Sequence, residues 1–247
     1  MSPADHRALF DYPAHAKVGR VVPKTRIHAA GRASRALQAK MAQQVARIDW
    51  QYKLAPETLN LPASRAVPEI QVFQLVLKSA GMGDDLPTDI LRCIDRAIAF
   101  PLIFELVAST EEGAARDQVR MAAAYKRPSQ ADAAQWVVGD YFATPWHAAD
   151  KPRTALPVAL DMARLYENML RQIIPLAARN EESIAALAER HRQLTAKQRE
   201  HLRLEARLHR ERQFNRKVEI NAALRELNQE IRMLNGAGDV SDQQERR

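Results

Sequence analysis

Three residues of the chain combine types and settings that could do chemistry: Asp95, Glu105 and Lys126. Glu105 interrupts an otherwise apolar run, Leu102 to Val107 (LIFELV), and Lys126 closes the next apolar run in the phrase YKR. Carboxylates beside a lysine on a small sheet are the parts of a metal-dependent nuclease, in which the acids hold the cation and the lysine steadies the attacking water. The spacing departs from that pattern, which wants Glu and Lys on one strand with a single residue between them. A buried Glu105–Lys126 pair across neighbouring strands is the simpler account of the same residues.

Other chemistry is thinly represented. Walker loops, dinucleotide-binding glycine sets, zinc spacings and nucleophile elbows are absent. His191, His201 and His209 fall in one charged stretch, but His201 and His209 are not four residues apart, so no metal pair is expected there. Cys93 sits among Leu91, Ile94 and Ile98 and reads as a buried helical thiol. A lone cysteine forms no internal disulfide. No cofactor and no metal is expected.

Charge is more informative. The chain of 247 residues has a net charge of +7, and residues 1–50 alone carry +6. Between Asp11 and Asp49 there is no acid, whereas Lys17, Arg20, Lys24, Arg26, Arg32, Arg35, Lys40 and Arg47 all fall there. Such a run attracts polyanions by Coulomb steering and counterion release. A solvated basic face, or docking on an acidic protein, accounts for it as well. No stretch reaches the roughly 18 to 20 apolar residues of a membrane span, and the first ten residues lack the pattern of a signal peptide. A cytoplasmic protein is expected, with no membrane partner.

The elements that must position these residues follow from periodicity. Residues 1–31 read as a basic irregular segment, broken by Pro13, Gly19, Pro23 and Gly31. Leu37, Met41 and Val45 predict an amphipathic helix over 34–45. Ile48, Trp50, Tyr52 and Leu54 alternate with polar residues and predict a strand with one buried face. A proline-rich connection leads to a second, central strand over 69–78. Beyond the turn at residues 81–85, Thr88 is placed to cap a helix that Pro101 ends. Further strands are predicted over 102–107, 121–126 and 136–142, with an enlarged loop over 109–119. The fold class is α+β: a small mixed, mostly antiparallel sheet with flanking helices, its second and third strands parallel through a right-handed crossover. The sheet domain is assigned to residues 32–150. A helix starting near Pro157, with Leu160, Leu165, Tyr166, Met169, Leu170, Ile173 and Ile174 on its apolar face, should pack back on it as residues 151–178.

Neither Pro nor Gly occurs from Leu176 to Asn235, and Asn180 is a plausible N-cap. Residues 179–235 are therefore expected to form one long charged helix of coiled-coil type, followed by a disordered tail over 236–247. Its apolar seam comes in two registers. Ile184, Leu187, the position of His191 and Leu194 fit one, and Ile220, Leu224, Leu227, Ile231 and Leu234 fit another. A register shift marks a stutter or a bend. A straight helix with a partner, a hairpin turning near 209–216 and a homodimer are all compatible, although the absence of a turn residue other than Asn215 disfavours the hairpin. Something must cover the stripe. In the polar middle, Arg199, Arg203, Arg207 and Arg210 line one helical face and could track phosphates, or be solvated beside Glu200, Glu205 and Glu211.

Several phrases carry a resemblance: VPKTRI at 22–27, WQYKLAPETLNLP at 50–62, EIQVF at 69–73, LRCIDRAI at 91–98, PLIFEL at 101–106, AAYKRPS at 123–129 and QFNRKVEIN at 213–221. Over nearly its whole length the chain resembles the bacterial family called domain of unknown function forty-three ninety-one. The resemblance implies a small protein encoded near DNA methyltransferases and helicases of restriction-like, phage-defence clusters, and it brings no activity and no functional residues. The expectation is a non-enzymatic accessory or adaptor subunit. Lys17, Arg20, Lys24, Arg26, Arg32 and Arg35, with the Arg199 to Arg210 stripe, would contact DNA or RNA, and the terminal helix would dock a helicase or methyltransferase. A metal-dependent nuclease using Asp95, Glu105 and Lys126, or a structural homodimer joined through the terminal helix, are the alternatives.

Overall fold

A computed structural model describes residues 9–78, 86–108, 117–129, 131–132 and 135–236. The turn expected at 81–85 lies outside the described residues, as do positions 109–116 of the expected loop and 237–247 of the expected tail. The chain divides into two compact units, Met1–Ile173 and Ile174–Arg247.

The first unit runs β1 (Phe10–Asp11), a single 3-10 turn at Ala14–Ala16, β2 (Lys17–Val21), α1 (Lys24–Ala30), α2 (Arg35–Gln44), β3 (Val45–Leu54), α3 (Pro56–Leu59), β4 (Ile70–Leu77), α4 (Thr88–Ala97), β5 (Leu102–Ala108), β6 (Gln118–Pro128), β7 (Trp136–Ala143), β8 (His147–Ala148), β9 (Thr154–Ala155) and α5 (Met162–Ile173). The main sheet follows chain order, β2-β3-β4-β5-β6-β7, with β8 continuing beside β6. All its neighbours are antiparallel except β4 and β5. That parallel pair is forced by α4, which carries the chain back to the starting end of the sheet. The mixed, mostly antiparallel α+β architecture is thus the expected one. The N-terminal stretch is not irregular, however: β2 and α1 lie within it.

One sheet face packs on α1, α2 and α4 through Ile27, Met41, Ile48, Phe73, Leu75, Ile90, Ile94, Phe104 and Leu106, all nearly inaccessible to solvent. Two bulges in β3 change the expected single buried face. Trp50 pairs with Phe73 but Tyr52 with Val72, so Trp50 faces the helices and Tyr52 the opposite side. There Tyr52 stacks on Tyr12 with ring centroids 4.6 Å apart. The N-terminal chain covers that opposite face, where β1 and β9 form a small parallel sheet.

Three predicted helix starts move. The N-cap of α4 is Pro87, so Thr88 is its first residue and caps nothing. Helix α5 begins at Met162, where the Asp161 carboxylate accepts the Arg164 N–H at 2.7 Å. Pro157 precedes it, and Leu160 is 85% exposed. In the second unit Ser183, not Asn180, accepts the Ala186 N–H and starts the helix.

The expected single terminal helix is two: α6 (Ile184–Arg210) and α7 (Phe214–Asn235), joined by three residues. They run antiparallel, with Lys197 paired to Glu230 at 2.7 Å and Arg190 donating to the Leu234 carbonyl at 2.7 Å. At about 1.5 Å per residue the longer arm is about 40 Å long. No glycine or proline makes the turn. Instead the Glu211 carboxylate accepts the N–H groups of Arg212 and Gln213 at 2.8 and 2.9 Å, satisfying donors that a turn leaves open.

Candidate nucleic-acid interface

The basic run of the N-terminal segment is displayed by three consecutive elements. Strand β2 is the edge of the main sheet, paired with β3 alone. Gly19, at φ +63°, occupies the register shift between Lys17 and Arg20, a backbone conformation that costs a side-chain-bearing residue energy. Because of that shift Lys17 lies opposite Tyr52 and Arg20 opposite Trp50, so the two cations project to opposite sides of the edge. Helix α1 buries Ile27 and leaves Arg26 outside; Arg32 follows its end and Arg35 opens α2.

Not all of the eight cations are available. Lys24 donates to the Val45 carbonyl, and burial, with Lys78 nearby, lowers its pKa from the ordinary value. Lys40 is held by Asp89 at 2.5 Å and Arg47 by Asp49 at 2.7 Å. Lys17, Arg20, Arg26, Arg32 and Arg35 are exposed and form no ion pair among the described residues. Of the six N-terminal residues expected to meet nucleic acid, five therefore keep an open charge, and Lys24 serves the fold.

The structure separates the three candidate nuclease residues. Glu105 faces the side away from α4, where Arg153 grips it with two hydrogen bonds of 2.6 and 3.2 Å. Asp95 and Lys126 meet on the helix side. Lys126, 1% exposed, donates to the Asp95 carbonyl at 2.7 Å, to Asp95 Oδ1 at 3.3 Å and to the Ile98 carbonyl at 2.5 Å. Tyr141 donates its hydroxyl to Asp95 Oδ2. Burial raises the Asp95 pKa and lowers that of Lys126, and each partner's charge opposes the shift. Nor is there a cross-strand Glu105–Lys126 pair, since Glu105 lies opposite Met121. Strand alternation alone separates them, because Lys126 shares the helix-side face of β6 with Ala122, whereas Met121, opposite Glu105, lies on the other face. A buried, internally satisfied pair on one face and an Arg-clamped carboxylate on the other leave no shared centre for a metal and a water. Among the described residues no group of three His, Cys, Asp or Glu is arranged to hold a metal ion. Cys93 is buried, as its neighbours indicate, and burial raises its thiol pKa.

In the second unit the seam is covered within the chain. Ile184, Leu187, Leu194, Ile220, Leu224 and Leu227 are buried, while Ile231 and Leu234 are half-buried. The inward position assigned to His191 belongs to Arg190, 6% exposed. Its guanidinium takes both Glu182 oxygens at 2.7 Å and the carbonyls of Ala177 and Leu234 at 2.7 Å, which pulls the Glu182 pKa down to about 2. Arg199, Arg203, Arg207 and Arg210 are exposed along α6. Arg153 and Arg190 are the important residues the sequence did not single out. Both are arginines among many, and only the fold turns them inward.

Fold and surface together describe a basic α+β domain with a C-terminal helical hairpin. Among its described residues no helix is long and apolar enough to cross a membrane. The chain belongs to the family described as Domain of unknown function (DUF4391), whose model matches residues 10–231. No curated protein and no solved structure matches it.

Proposed function

We propose that the protein is a non-enzymatic, nucleic-acid-binding accessory subunit that brings a helicase or methyltransferase to DNA or RNA. The observation supporting the first half is the set of five exposed cations without ion-pair partners among the described residues (Lys17, Arg20, Arg26, Arg32 and Arg35), on an edge strand, the two helices that follow it and the turn between them. Charge left unneutralised in this way is what releases counterions when phosphates dock. Asp95, Lys126 and Glu105, the residues that would argue for catalysis, are occupied by internal partners. The enzyme partner follows from the resemblance in sequence to proteins encoded beside such enzymes. Because the hairpin covers its own seam, a partner would engage its outer face, and no homodimer is required to bury the stripe.

Fluorescence anisotropy against duplex DNA and duplex RNA over a salt series tests the nucleic-acid half. Replacing Lys17, Arg20, Arg26 and Arg35 by Ala should weaken binding by at least about tenfold. It should also flatten the plot of log affinity against log salt by about 3 to 4, near 0.9 per lost phosphate contact. Unchanged affinity and slope would overturn this reading. The partner half is tested by co-purification with the products of neighbouring genes.

A further inference from the structure

The turn of the hairpin has a composition of its own. Between Arg207 and Lys217 there are five cations, Arg207, Arg210, Arg212, Arg216 and Lys217, against one carboxylate. That carboxylate, Glu211, is engaged by the turn's own N–H groups. All five cations are exposed. Among them stands Phe214, the first residue of α7, 77% exposed where an aromatic ring of its size is usually covered. Its neighbour one turn on, Val218, is 53% exposed, and the face then becomes Asn221, Ala222 and Arg225. An apolar tip two residues long is too short for a helix lying in a membrane surface, which needs a continuous apolar face. An exposed flat ring with exposed arginines close on either side of it in sequence matches the chemistry of unstacked bases on a phosphate backbone.

We propose that this turn binds single-stranded nucleic acid: Phe214 stacks on an exposed base, and the five cations take the flanking phosphates. The proposal rests on the reading of the protein as a nucleic-acid binder and adds a second contact, specific for unpaired strands, on a different unit from the edge-strand residues. Four of the five cations are arginines, whose planar fork binds phosphate oxygens two at a time.

The full chain is titrated into fluorescently labelled single-stranded DNA and RNA oligonucleotides, and into vesicles of phosphatidylcholine with phosphatidylserine. Phe214→Ala should weaken single-strand binding about tenfold while leaving the salt slope unchanged, since stacking releases no counterion. Phe214→Trp should restore the affinity, and the new indole should be quenched as oligonucleotide is added. Arg212→Ala with Arg216→Ala should lower the salt slope by about 1.4, at roughly 0.7 per phosphate on single strands. All these side chains are exposed, so an unchanged far-UV circular dichroism spectrum is expected. Wild-type affinity and slope in every tip variant would overturn the proposal even if the edge-strand variant loses duplex binding. So would loss of vesicle binding alone, which would make the tip a lipid contact. If the wild-type chain binds no nucleic acid, both readings fall together.

Discussion

Arg190 places its guanidinium inside the hairpin, where Glu182, Ala177 and Leu234 receive it. A buried charge with its partner removed is expensive, so Arg190→Ala should cost about 3 to 5 kcal/mol in urea unfolding followed by circular dichroism. Lysine cannot reproduce the fork and should recover only part of that. The pair also sets a pH dependence. The Glu182 pKa is lowered from the ordinary 4.5 to about 2, so the fold favours its ionised form. The stabilisation is present above about pH 4.5 and fades as pH falls towards 2. Arg190→Ala should reduce that acid sensitivity, leaving the part due to the Arg179 N–H on Glu182; an unaltered pH profile would show that the bridge is not its source. At this scale the sequence is a poor guide. Asp95, Glu105 and Lys126 were recognisable as unusual, but which partner each takes depended on which sheet face α4 and Arg153 cover, and that no spacing reveals.

At the scale of elements, helix α1 ends against α4 at a contact only glycine permits. A β-carbon on Gly31 would lie 2.4 Å from the Cys93 carbonyl oxygen and 2.7 Å from its sulfur. The carbonyl belongs to a helix and cannot step aside. Gly31→Ala should therefore lift α1 and lower stability by about 1 to 3 kcal/mol, measured by thermal unfolding. Adding Cys93→Ala should rescue little, because the nearer obstacle is backbone. Full recovery would place the strain in the sulfur instead. The strands were legible because apolar alternation and runs mark them, and so was the parallel β4–β5 pair, because a helix intervenes. The hairpin was legible only in a disguised form. Its two seam registers are the two arms, and the shift between them is the turn; but a carboxylate closes that turn, where sequence reading looks for glycine, asparagine or proline. β2 and α1 were hidden for the related reason that Pro13, Gly19 and Pro23 punctuate short elements without abolishing them.

For the whole molecule, charge and order along the chain are the governing properties. The net charge of +7 is gathered at the N-terminal elements and the hairpin turn, while residues 51–180 are close to neutral. Apart from β8, which pairs with β6, every strand of the main sheet lies beside a neighbour in sequence, so most of its pairing closes short loops. The pairing of the small second sheet spans far more of the chain. Strand β1 lies against β9, and Arg153 donates to the Phe10 carbonyl across 143 residues. Non-local contacts form slowly, since the closure entropy falls due before any of their bonds exist. The residues leading into the basic edge strand should thus be the last of the first unit to settle during refolding. Pulse-labelled hydrogen exchange should find the amides of β3 to β6 protected first. The Thr154 amide, which donates to the Leu9 carbonyl at 2.8 Å, should follow them. A newly made chain would then have its central sheet assembled while its N-terminal strand is still free, so its first interval of life is one in which the small second sheet is missing and the Glu105 face of the main sheet lies open to water.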